Sequence, residues 1–134
     1  MKKWFFLLLV VCSQAWADMH FIGKNKEFGM FVDPSTVERN GDSVKLWVIG
    51  DYQEAQSKRF PPPLFWVRYL SVKELKEFDC TKALHRTIRT KIFSEKLAKG
   101  DLLYTFDAAA TMAPVSNAPL DVAQFKYACE DGRR

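Results

Sequence analysis

The side chains able to do chemistry in this 134-residue sequence are few: His20, His85, Cys12, Cys80, Cys129, and carboxylates such as Asp33, Asp51 and Asp79. None is arranged for catalysis. There is no Gly-x-Ser-x-Gly, no His-Glu-x-x-His, no glycine-rich phosphate loop, and no serine followed by a plausible base. The cysteines lie outside any Cys-x-x-Cys and the histidines lack ligand spacing, so neither a metal nor a catalytic thiol is expected. His85 stands among cations. Of its two readings, a general base or a surface histidine on a basic strand, the second is the simpler. The three aspartates fall at strand ends and turns, where Asp caps backbone groups. No enzymatic activity and no cofactor are expected.

What remains is contact. Lys82, Arg86, Arg89 and Lys91 concentrate within ten residues, around His85. Threonine and isoleucine favour a strand here. Leu84, Ile88 and Ile92 then point inward, and His85, Thr87, Arg89 and Lys91 point outward. Arg86 falls on the inward side and snorkels to an edge, with Lys82 beside it at the rim. This local charge makes Lys82, His85, Arg86, Arg89 and Lys91 the candidate partner-binding residues, able to meet acidic protein or polysaccharide. The plainer alternative is a solvated, edge-protecting strand face. A second candidate is the stiff run Phe60, Pro61, Pro62, Pro63, with Phe65 and Trp66 after it. It either displays apolar surface to a partner or a second copy, or folds over its own core.

The chain's start sets the compartment. Lys2 and Lys3 precede an apolar run too short to span a bilayer, and Ala15-Trp16-Ala17 fits a leader cleavage site. Residues 1–17 are thus expected to leave, with one domain over residues 18–134. Cys12 as a lipidated first residue is the alternative, but Val11 is bulky for that motif. Without Lys2 and Lys3, the basic residues only slightly exceed the 16 acidic ones. That balance argues against a nucleic-acid partner. No later apolar run approaches the ~20 residues of a transmembrane helix. Export leaves Cys80 and Cys129 as an even pair in an oxidising compartment, where a disulfide is the default.

The elements follow from alternation and turn chemistry. Phe28, Met30 and Val32 share one face, with Phe31 on the other. Asp33-Pro34-Ser35 turns the chain, and Asn40-Gly41 is a hairpin dipeptide. Val44, Leu46 and Val48 resume the alternation, with Trp47 and Ile49 opposite. A strand apolar on both faces is central or covered on both sides. Residues 53–65 read as loop. Beyond them, Trp66, Leu70 and Val72 alternate with Val67 and Tyr69. A turn at residues 97–101, a short strand "LLYTF", a loop with two prolines, and a helix "PLDVAQFKYAC" complete the chain.

The segments "FVDPSTVERNGDSVKLWVIGDY", "YLSVKELKEFDC", "AKGD" and "FKYAC" resemble the surface-adhesin E family of Gram-negative bacteria. The likeness runs over residues 28–129. It implies an α+β fold: a small antiparallel sheet of five to six strands, with a short C-terminal helix packed on it and tied by Cys80–Cys129. It also implies binding to host extracellular-matrix or plasma proteins, and pairing of two copies. The family's founding type is a surface lipoprotein. The Ala15-Trp16-Ala17 ending and the "FPPPLFW" segment depart from that pattern, which keeps a periplasmic accessory or inhibitor as the alternative.

Overall fold

The computed structural model describes residues 19–59, 66–108 and 111–130. Among these residues eight antiparallel strands form one sheet: β1 (His20–Lys24), β2 (Phe28–Val32), β3 (Glu38–Asn40), β4 (Ser43–Arg59), β5 (Trp66–Asp79), β6 (Leu84–Phe93), β7 (Leu102–Asp107) and β8 (Ala113–Pro114). The order is β1-β2-β4-β5-β6-β7, with β3 pairing β4 and β8 pairing β6. One α-helix among the described residues, α1 (Pro119–Cys129), follows the strands. The strand count exceeds the five to six expected. β1 begins at His20, so close to the anticipated leader that no strand is evident there, and β3 and β8 are only three and two residues long. Residues 53–59, expected as loop, continue β4 to a length of 17 residues.

The alternation in β4 builds the core. Val44, Leu46 and Val48 are buried on the face that meets α1, and Ile49 is buried on the other. The first three join Val32, Phe78, Ala128 and Cys129 in one apolar cluster, with Phe125 packed against it. A second cluster on β5 and β6 gathers Val67, Tyr69 and Ile92, with Tyr52 and Tyr104 beside them. Burial raises the phenol pKa of both Tyr52 and Tyr69, since the charged form would lose water.

The turns follow local chemistry. Asp33 accepts from the backbone N–H of Ser35 and caps a 3-10 turn at Pro34–Thr36. Asp79 accepts from the N–H groups of Thr81 and Lys82. The β3–β4 hairpin is displaced one residue from the expected Asn40-Gly41. Asn40 pairs with Ser43, so Gly41 and Asp42 form the turn and only Gly41 has a positive φ, +62°. Helix α1 opens with proline at its first turn, where a missing N–H costs nothing. A Cβ at Gly23 would lie 3.1 Å from the Leu120 side chain, so glycine lets the helix start close to β1. At its far end the Ala128 carbonyl, otherwise orphaned, accepts from Arg39 at 2.8 Å. There Cys129 is disulfide-bonded to Cys80, just past β5.

Candidate functional site

Directly paired residues in an antiparallel sheet share a face, so the register shows what lies opposite α1. One cross-strand row on that open face runs Phe21, Phe31, Ile49, Lys73, Lys91, Thr105. The next runs Trp47, Leu75, Arg89, Asp107, and a third Glu38, Lys45, Glu77, Arg86. Among the described residues no helix covers these rows. One end of the face is closed by the β6–β7 turn. There Asp51 accepts from the Leu97 N–H, Ser71 donates to the Glu95 carbonyl, and Ser71 accepts from the Ala98 N–H. These bonds hold Leu97 and Ala98 at φ near +56° and +57°, a left-handed conformation that costs energy without glycine.

The face is aromatic at its centre and cationic around it. Trp47 is anchored by its backbone: its N–H donates to the Thr36 hydroxyl, and its carbonyl accepts from the Asp33 N–H. The Lys73 ammonium lies 5.3 Å and the Lys91 ammonium 5.1 Å from the indole centroid. Each such contact contributes about 0.5–1 kcal/mol at an exposed site. Arg89 donates to Asp107 at 2.6 Å. That bond raises the guanidinium pKa and holds the Asp107 carboxyl below its ordinary value. Glu77 takes Arg86 at 3.3 Å and Lys45 at 3.7 Å.

The structure splits the candidate set of basic residues. Opposite Leu75 stands Arg89, but opposite Lys76 stands Thr87, so Ile88 is an extra residue in β6. Such a bulge reverses which face the preceding residues occupy. Arg89 and Lys91 lie on the open face as expected. Arg86, expected inward, joins them and bonds Glu77. His85, expected outward, lies instead on the helix side and stacks on Phe78 at 6.1 Å. Thr87 turns with it, and Leu84 and Ile88 no longer share an inward row with Ile92. Lys82 sits exposed in the β5–β6 turn. Phe60, Pro61, Pro62, Pro63 and Phe65 lie outside the described residues. Trp66, which follows them, is 71% exposed and pairs with Arg59. His20 stacks on Tyr127 at 4.9 Å, so it is part of the β1–α1 contact.

Lys73 and Trp47 are the members that sequence reasoning passes over. The signal for Trp47 is its position opposite Leu46 and Val48 in alternation. Lys73 has none of its own, because its neighbours come from β4 and β6.

Residues 16–130 match the family model of surface-adhesin protein E. No curated protein matches the sequence. Among solved structures, Haemophilus influenzae protein E is similar at a TM-score of 0.61, with 13% identity over 88% of this chain and 92% of that one. Its crystal form II is similar at 0.60, with 10% identity, 84% of this chain and 94% of that one. Protein E from non-typeable Haemophilus influenzae matches at 0.55, with 13% identity, 84% of this chain and 76% of that one. At such identities the likeness is one of fold.

Proposed function

Because the chain belongs to the surface-adhesin protein E family, we propose that it is an exported, non-enzymatic binding protein of adhesin type. Its contact surface is the open face of the sheet, and its partner is a host extracellular-matrix or plasma protein. The observation that carries this reading is the location of Arg89 and Lys91. Both stand on the face left uncovered by α1, Lys91 over the Trp47 ring and Arg89 in the same cross-strand row as Trp47, while the opposite face supplies the main core. Such charges mainly set association rate and specificity, and salt screens them.

Arg89→Glu with Lys91→Glu tests it. The double variant keeps its fold, because Arg89 and Asp107 form an exposed pair that solvent screens, and Lys91 gives up a single cation–π contact. Binding to immobilised matrix protein falls about tenfold at low salt and less at high salt. Affinity and salt dependence that do not change remove the open face from the contact. The second reading, a periplasmic accessory or inhibitor, is favoured by the Ala15-Trp16-Ala17 cleavage pattern. Capture of an envelope protein, with none from host matrix in a parallel pull-down, selects it.

Residues 1–17 act as a leader in this proposal, and residues 18–134 as one exported domain. Sequencing the exported protein is expected to begin at Asp18. A lipidated Cys12 at the terminus would instead place the protein on a membrane as a surface lipoprotein.

A further inference from the structure

Lys73 and Lys91 face each other directly across β5 and β6. Like charges in that position destabilise a sheet. Among the described residues neither lysine forms an ion pair, although Arg86, Arg89, Lys45 and Lys96 on the same face each have a carboxylate. Both ammonium groups are drawn to one ring, Trp47, and all three side chains are partly exposed. Two cations without counter-ions among the described residues therefore flank the indole of Trp47, whose backbone the Thr36 and Asp33 bonds hold in place.

We infer that Trp47, Lys73 and Lys91 form a binding site for an acidic polysaccharide, which supplies the missing anions. Two features select this ligand over an acidic peptide. The cluster lies on β4, β5 and β6, inside the sheet rather than at an edge. Backbone N–H and C=O groups there are committed to neighbouring strands, so an extended peptide finds no ladder to join. A polysaccharide needs none: its sulfate or carboxylate groups meet ammonium groups, and the apolar C–H face of a pyranose ring lies against the indole. Arg89 and Arg86, on the next two rows, are already paired with Asp107 and Glu77, so the unmatched positive charge is centred on Lys73 and Lys91. The inference rests on reading the open face as a contact surface, and names a ligand class for its centre.

Once residues 1–17 are removed, Trp47 and Trp66 are the only tryptophans. In a Trp66→Phe background Trp47 therefore reports alone. A heparin-derived octasaccharide is expected to change Trp47 fluorescence saturably, and more weakly as salt rises. Lys73→Gln with Lys91→Gln weakens binding about tenfold or more, and Lys73→Arg with Lys91→Arg restores most of it. Lys24→Gln with Lys26→Gln, the same charge loss near β1, stays within about twofold. In the unaltered exported protein, bound octasaccharide protects Lys73 and Lys91 from acetylation, a readout independent of how variants fold. No saturable change, equal loss in the Lys24/Lys26 control, or tighter binding of an oligoglutamate of equal charge each overturns the assignment. No polysaccharide binding by the unaltered protein, with matrix-protein binding present, sinks this inference alone; polysaccharide binding without matrix-protein binding sinks the protein-contact reading alone.

Discussion

Phe78→Ala is expected to destabilise the protein by about 3–5 kcal/mol, the range for truncating a fully buried phenylalanine. Phe78 is 0% exposed and sits where three elements meet. It pairs with Val44 on β4, stacks on His85 of β6, and meets Phe125 of α1 edge-on at 6.3 Å. Its removal strips contacts from both sheet neighbours and the helix at once. The surroundings cannot collapse into the gap, because Val44, Leu46 and Val48 are fixed by the β4–β5 ladder. Urea denaturation should show a lower midpoint with an unchanged slope. Trp66→Ala is the internal control. That ring is larger but 71% exposed, so its loss should stay within about 0.5 kcal/mol. Comparable effects from the two variants would mean the core is elsewhere.

The same residues show what the sequence makes legible. Val44, Leu46 and Val48 alternate strictly, and that pattern alone places the core face of β4 and leaves Trp47 opposite. Pro119 and the helical spacing of Phe125 and Cys129 place α1. Asp33, with a proline and a serine after it, places its turn. Each of these rests on residues a few positions apart. The bulge at Ile88 does not. Thr87, Ile88 and Arg89 are ordinary strand residues, and the extra residue is defined only by pairing with Leu75 and Lys76. That single non-local fact moves Arg86 to the open face and His85 to the core face. Residues 53–59 are equally opaque. Their polar run carries no alternation, and they become strand because Val67 and Tyr69 on β5 supply the burial. The Lys73–Trp47–Lys91 cluster draws one residue from each of three strands, so no local window contains it.

The disulfide carries the other large effect. Cys80 and Cys129 are 49 residues apart, and closing a loop of that size restricts the unfolded chain by about 4 kcal/mol on the chain-entropy account. Replacing both cysteines with serine should therefore lower stability by about that amount. The loss should begin at α1. An isolated helix of 11 residues is marginal in water, and α1 buries only Gln124, Ala128 and Cys129. Its other ties include Phe125 and Tyr127 on the core cluster, the Leu120 contact at Gly23, His20 on Tyr127, and the Arg39 bond to its last turn. Without the covalent link, amide exchange should accelerate in α1 well before β4 and β5, whose long ladder does not depend on it. The unreduced exported protein should offer no alkylatable thiol, and reductant should shift its denaturation midpoint downward. Two free thiols before reduction, or an unchanged midpoint after it, would show that packing alone holds the helix. In that case Phe125 and Ala128, rather than Cys129, keep α1 on the sheet and leave the opposite face open.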